Sequence, residues 1–329
     1  MKAVQFSETG GPEVLRYVDV EAPSPGAGEV LVEVKAIGVN YTDVMTRAGR
    51  NHPINMPPLP AIPGVEASGV VAEVGEGVTE VSVGERVAYY ANNSASYAEL
   101  TVVPSWRAVK LPDGVDFDSS AAVLLQGMTA QHLCHTTRRV QAGETVLVHA
   151  AAGGVGLLLT QMVKELGARV IGTVSTAAKA DAARRAGADE VVLYTERDFL
   201  AEVMRLTVGA GVEVVYDSVG VSTFEGSIRS LARKGHMVIY GQASGPVPPV
   251  PLSTLYDGSL TLSRTALLDY TASREEVLER AEDVFERVRS GRLKVHVHGK
   301  WPLREAAEAH RRLEGRETVG KVLLAPEGG

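Results

Sequence analysis

Between Gly143 and Lys164 the chain reads GETVLVHAAAGGVGLLLTQMVK. Its small residues, Ala151-Ala152-Gly153-Gly154-Val155-Gly156, stand where a short apolar run gives way to a helical pattern. The chemistry that needs this spacing is the grip on a dinucleotide pyrophosphate. Small side chains let the backbone approach the phosphates, and a helix N-terminus adds unpaired N–H groups and a positive dipole end. Ala151 occupies the position usually given to the first glycine of such a fingerprint, so the reading rests on its flanks. Those flanks are present: Thr145-Val146-Leu147-Val148 ahead, and Leu158, Gln161, Met162 and Glu165 behind at helical spacing. On the fingerprint alone, a tight turn that binds nothing stays open.

Other residues with reactive or ligating side chains form weaker patterns. His132 and His135 share a helix face, but Cys134 points elsewhere, so the three do not converge on a metal. His296 and His298 alternate on a predicted strand with no further ligand near in sequence. His149, just before the glycine turn, reads as a satisfied core histidine.

Elements must position these residues. From Thr145 the pattern alternates, with predicted strands Val146–His149, Arg169–Thr173, Glu190–Leu193, Val212–Asp217, Met237–Tyr240 and Ser259–Ser263. Helical segments Thr176–Ala186, Asp198–Leu206 and Phe224–Arg233 separate them, which predicts a doubly wound parallel sheet. Pro246 to Pro251 is a loop, since proline has no N–H for a ladder. The first third instead carries short alternating runs, Glu29–Ala36, Ser68–Val74, Arg86–Ala91 and Tyr97–Val102, and predicts a compact β-rich domain. Ser119–Thr137 is helical in character, and a long charged amphipathic helix spans Ser273–Ser290. The fold class is therefore α/β.

Composition narrows the function classes. With 329 residues and 45% hydrophobic content, the chain can bury the cores of two domains. A net charge of −7 gives no basic field for nucleic acid or an anionic membrane. A single cysteine, Cys134, excludes an internal disulfide and any multi-cysteine zinc cluster. No run of about 18 apolar residues predicts a membrane span, and Met1-Lys2-Ala3-Val4 enters a strand pattern with no signal-peptide core. A cytoplasmic protein is the expectation.

The spacing Gly143-Glu144, Leu147, Ala151-Ala152-Gly153-Gly154, Gly156, Gln161 and Lys164 resembles the signature of the quinone oxidoreductase and zeta-crystallin group. That group belongs to the medium-chain dehydrogenase/reductase superfamily. The resemblance runs from MKAVQFSETGGPEVL to VGKVLLAP. It implies a GroES-like catalytic domain, residues 1–121 and 266–329, interrupted by a Rossmann cofactor domain at 122–265. It also implies pairing of the Ser259–Leu262 edge across a two-fold axis, hence a homodimer.

An NAD-preferring Rossmann unit ends its second strand in Asp or Glu, about 20 residues past the glycines. Here Gly172-Thr173-Val174-Ser175-Thr176 has no carboxylate, and Lys179 follows. Small hydroxyl residues such as Thr173 and Ser175, with a lysine, accept a 2′-phosphate where an acid repels it. Taken alone, Lys179 also reads as a solvated lysine at a helix start. The resemblance places a phosphate-binding lysine there, with Tyr194 nearby, and so implies NADPH. It further implies cofactor contacts from Ala152, Gly153, Gly154 and Val155 and from Asn40, Thr129, Ser218, Gly241, Gln242 and Arg264.

Zinc-dependent relatives carry Gly-His-Glu and an upstream cysteine ligand; here those positions read Gly64-Val65-Glu66 and Asn40. Valine cannot ligate, and catalytic zinc needs three protein ligands, so no metal is expected and Glu66 reads as a structural carboxylate. The chemistry then belongs to the cofactor. The expected reaction is hydride transfer to a quinone, whose reduced oxygen can take its proton from solvent, with Asn40 and Tyr41 as polar groups near that oxygen. A tyrosine common in the family is absent from the loop Gly49-Arg50-Asn51-His52-Pro53. The alternatives are an NADPH-dependent enal, enone or enoyl-thioester reductase, and a crystallin-like NADPH binder without turnover. The acidic balance argues against an RNA-binding version of the latter.

Overall fold

The structure, a computed structural model, describes residues 1–51 and 56–327, so His52 and Pro53 of the loop named above lie outside the described residues. Two compact units divide the chain: Met1–Leu125 with Ala272–Gly329, and Gln126–Thr271.

In the first unit, β1 (Lys2–Gln5) pairs antiparallel with β2 (Arg16–Asp19). β3 (Glu29–Val39), α1 (Tyr41–Arg47), β4 (Glu66–Val74), β5 (Arg86–Tyr90), β6 (Leu100–Pro104) and β7 (Val109–Lys110) follow. β3 is the hub, antiparallel to both β4 and β6. Val30, Val32 and Val34 keep the period-two pattern read from the sequence. A pairing irregularity between Val34 and Ala36 then shifts the inward set to Ile37 and Val39. The expected strand at Tyr97–Val102 starts later: Tyr97 is fully buried ahead of the ladder, which runs from Leu100 to Pro104. α2 (Phe117–His132) continues past Leu125 into the second unit and ends in a wider turn, Leu133–Thr137.

The second unit holds β8 (Thr145–Val148), α3 (Gly154–Glu165), β9 (Arg169–Val174), α4 (Ala177–Arg185), β10 (Glu190–Leu193), α5 (Phe199–Leu206), β11 (Val212–Asp217), α6 (Phe224–Arg229), β12 (Leu231–Ile239) and β13 (Thr261–Arg264). The six strands are parallel, in the order β10-β9-β8-β11-β12-β13. The order reverses between β8 and β11, the switch point where open sheets take ligands at their C-terminal ends. Two expected boundaries move. The helix expected to reach Arg233 stops at Arg229, because Leu231 already pairs with Val212 in the ladder. The edge strand starts at Thr261 rather than Ser259, whose φ of 53° is not that of a strand.

In the tail, α7 (Arg274–Arg289) is capped by Ser273, whose hydroxyl accepts the Glu276 N–H. β14 (Val297–Pro302), α8 (Ala306–Glu314) and β15 (Lys321–Ala325) complete the chain. β15 pairs antiparallel with β3, Val322 opposite Val39, so the C-terminal strand lies inside the first unit's sheet. Among the described residues, no helix is long and apolar enough to cross a membrane.

Candidate functional site

The glycine turn lies between β8 and α3. Ala150 takes a left-handed φ of 50°, and Gly153 stands ahead of α3 with no side chain capping that end of the helix. A side chain at Gly156 is impossible without movement, since a Cβ there would lie 2.3 Å from the Ala150 carbonyl oxygen. Ala151 is accommodated for a specific reason. Its methyl group is fully buried against β9 at Gly172, where an added Cβ would come within 2.7 Å of it. The room a glycine gives on the turn in the usual fingerprint is here given by the neighbouring strand.

Behind the turn runs a buried polar chain. His149 Nδ1 is 2.9 Å from Thr173 Oγ1 and its Nε2 is 2.9 Å from Ser227 Oγ, whose hydroxyl donates to Asp217 Oδ2. Since Ser227 donates onward, Nε2–H donates to Ser227 and Nδ1 accepts from Thr173. Burial pushes the His149 pKa down, in keeping with a neutral ring. His149 is thus the satisfied core histidine expected. Thr173 needs correction: it is 2% exposed and its hydroxyl is engaged by His149, so it faces the core rather than a phosphate.

At the C-terminal ends of β9 and β10, Ser175 follows Val174, and the Tyr194 N–H donates to the Val174 carbonyl. Lys179 lies in the first turn of α4, half-buried, and Tyr194 is exposed. The β9 end carries Ser175 and Thr176 with no carboxylate. Ser218 follows β11, and its carbonyl accepts the Ala243 N–H, joining the turn that holds Gly241 and Gln242. Arg264, exposed at the end of β13, donates to the Thr265 carbonyl at 2.9 Å. Thr129 is 8% exposed on α2. A turn of alanines and glycines at a helix N-terminus and an acid-free second strand with a lysine fit a dinucleotide bearing a 2′-phosphate.

The first unit carries a separate polar cluster. Asn40 precedes α1, and its backbone N–H donates to Asp43 Oδ2 at 2.8 Å. Its side-chain Nδ2 donates to Gly38 O at 3.0 Å and Glu66 Oε2 at 2.8 Å, while Oδ1 accepts from Lys321 Nζ at 2.8 Å. Lys321 Nζ is also 2.6 Å from Glu66 Oε2, and Glu66 Oε1 accepts the Leu125 N–H. The expectation of an Asn40 amide that serves a substrate oxygen therefore needs correction: both of its N–H groups are committed inside the protein. Glu66 is structural, as expected, but as half of an ion pair. Tyr41, the first residue of α1, is half-buried. Lys321 is a residue that sequence reasoning missed. Its only signal is a charged residue opening the apolar strand Lys321-Val322-Leu323-Leu324.

Asp43 extends the cluster. Tyr97 Oη donates to Asp43 Oδ2 at 3.2 Å and lies 2.9 Å from His310 Nε2. Burial lifts the Asp43 carboxyl to about 7 against the pull of the Asn40 N–H, the Lys321 ammonium and the Tyr97 hydroxyl, and Glu66 adds to the rise. Burial beside the Arg47 guanidinium lowers His310 to about 3. Arg47 is fixed by two 2.9 Å bonds to the Glu314 carboxylate. A cavity of about 20 Å³ is lined by Asp43, Thr42, Thr46, Asn51, Val65 and Asn92, among others. Asn51 docks on α1 through Thr42 and Thr46.

The remaining clusters do not build a site. His132 bonds Thr137 and stacks on Tyr270, while Cys134 is buried near the Gln131 carbonyl. His298 stacks on Trp301, and His296 precedes β14. Among the described residues, no three His, Cys, Asp or Glu side chains gather to hold a metal.

Residues 26–113 match the family described as alcohol dehydrogenase GroES-like domain, and residues 154–283 match zinc-binding dehydrogenase. The chain is 43% identical to a quinone oxidoreductase of Pseudomonas aeruginosa, covering 99% of each. It is 40% identical to a 2-haloacrylate reductase of a Burkholderia species, again over 99% of each. A solved Escherichia coli quinone oxidoreductase complexed with NADPH matches with a TM-score of 0.94 at 41% identity, over 99% of this chain and 100% of that one.

Proposed function

The chain belongs to the quinone oxidoreductase group of the medium-chain dehydrogenase/reductase superfamily, and from that premise we propose that it reduces quinones with NADPH, without a metal. The observation that carries this reading is the end of β9, where Ser175 and Lys179 stand in place of the carboxylate that NAD demands. When bound, NADPH supplies the hydride. The chain supplies position and electrostatics. Backbone N–H groups of Ala152, Gly154 and Val155 take the pyrophosphate, Gly153, whose own N–H donates to the Ala150 carbonyl, gives the close approach, and Lys179, Ser175 and Tyr194 take the 2′-phosphate. Thr129, Ser218, Gly241, Gln242 and Arg264 line the remainder. The Tyr41 hydroxyl serves the acceptor oxygen, and Asn40, tied to Lys321 and Glu66, holds the start of α1 in place.

The relation to a 2-haloacrylate reductase favours one second reading, reduction of an electron-poor alkene conjugated to a carbonyl. We further propose a homodimer through the exposed edge of β13, and a cytoplasmic location. The deciding experiment follows NADPH absorbance with a soluble naphthoquinone and, in parallel, with an enal. Enzyme-dependent turnover of the quinone is expected. NADPH binding with turnover of the enal alone moves the assignment to the second reading, and turnover of neither leaves a non-catalytic binder.

A further inference from the structure

Hydride addition to a quinone leaves an oxyanion that must gain a proton, and the first unit holds a buried carboxyl with one oxygen that has no hydrogen-bond partner among the described residues. Asp43 is 1% exposed and lines the small cavity beside Thr42, Asn51 and Val65. Its two oxygens are differently placed. Oδ2 accepts from the Asn40 N–H and the Tyr97 hydroxyl, whereas Oδ1 is buried with no hydrogen-bond partner among the described residues. The donors behind Oδ2 are aligned. His310 Nδ1 has no partner among the described residues while Nε2 meets Tyr97 Oη, so the neutral ring carries its hydrogen on Nε2 and donates to Tyr97, which donates to Asp43. Two donors on Oδ2 leave Oδ1 as the oxygen that carries a proton.

We propose that Asp43 is the proton donor to the reduced acceptor, delivering from Oδ1, with Tyr97 and His310 as positioning residues. This rests on the quinone reductase reading given above. In the balanced step, the quinone accepts a hydride, that is, two electrons with one hydrogen nucleus, as NADPH becomes NADP⁺. The resulting quinol oxyanion takes the Asp43 proton to form the neutral quinol, and the Asp43 carboxylate is then reprotonated from solvent. The charged and titratable groups that act on Asp43 are Lys321 on β15, Tyr97 and Glu66 on β4, and behind Tyr97 stand His310 on α8 and Arg47 of α1. Their balance with burial holds the acid near neutrality, where general acid catalysis is most effective.

The test measures kcat/KM with a soluble naphthoquinone against pH in the wild type, Asp43→Asn and Tyr97→Phe. Infrared difference spectra of the cofactor-free protein accompany it. In the wild type the rate should fall as pH rises through about 7, with loss of a carboxylic-acid carbonyl band over the same range. Asp43→Asn should lose that band and that limb and be slower by about 10²-fold. Tyr97→Phe removes a donor that favours the carboxylate, so its limb should move to higher pH. A wild-type rate that is flat through neutrality, or an Asp43→Asn profile that follows the wild type, overturns the assignment. If Asp43→Asn does not fold, the wild-type and Tyr97→Phe profiles still decide. Absence of quinone turnover in the wild type defeats the functional reading instead. The infrared titration then decides by itself whether Asp43 holds a proton at neutrality, and a band already lost below neutral pH would overturn the donor role.

Discussion

Lys321 Nζ lies 2.6 Å from Glu66 Oε2, and both side chains are at most 1% exposed. This ion pair joins β15 to β4 across β3, and Asn40 accepts from the same ammonium. It fixes an ammonium–carboxylate pair at the start of α1, beside the residues proposed to serve the acceptor. Removing one member leaves the other charged and buried, so Lys321→Met should destabilise the protein by about 3–5 kcal/mol in urea unfolding. The double variant Glu66→Gln/Lys321→Met should recover most of that loss. Equal loss in single and double variants would show that packing, not charge, dominates there.

Gly172 and Ala151 should behave as a coupled pair. Gly172→Ala forces two methyl groups together and should cost about 1–3 kcal/mol. Adding Ala151→Gly relieves the contact, so a double-mutant cycle should give a favourable coupling of about 1 kcal/mol. Additive effects would contradict the described packing.

Lys179→Ala should weaken NADPH binding about tenfold, a modest value because the side chain is partly solvated. NADH binding should hardly change. Fluorescence titration with both nucleotides checks this, and equal losses for both would remove Lys179 from the phosphate site.

His310 and Asp43 give opposing pH dependences. The folded His310 pKa of about 3 lies below its ordinary value, so its contribution is full above pH about 6.5 and is lost as pH falls. The folded Asp43 pKa of about 7 lies above its ordinary value, so its contribution is full below pH about 4 and is lost as pH rises. Between these limits the two nearly cancel. Asp43→Asn should therefore steepen acid destabilisation by up to about 1.4 kcal/mol per pH unit, read from urea midpoints near pH 5 and pH 6.5. Parallel curves for the variant and wild type would refute the opposition.

Light scattering should return a dimer mass at micromolar concentration. Leu262→Pro, on the outer edge of β13, should shift it toward the monomer while NADPH binding persists. An unchanged dimer would place the interface elsewhere.

The alternation of strands and helices from Thr145 to Leu262 could be read from the sequence because parallel strands and their crossovers leave local periodicities. The glycine turn and the acid-free end of β9 are equally local, each held within a few residues. Where local pattern met a distant partner it gave way, as when Leu231 joined the ladder opposite Val212 instead of extending α6.

By itself, the sequence determined the α/β class, the dinucleotide turn, the lack of an acid after Val174, and the family. The tertiary structure decided which polar residues meet. Lys321 reaches Asn40 across 281 positions and His310 reaches Tyr97 across 213, separations over which no periodicity carries information. It also decided that Thr173 turns inward to His149 and that both Asn40 amide hydrogens are spent on Gly38 and Glu66. A side chain's chemistry belongs to its residue type, but its pKa and its free valences are set by what burial places beside it, and that is known only once the chain has closed on itself.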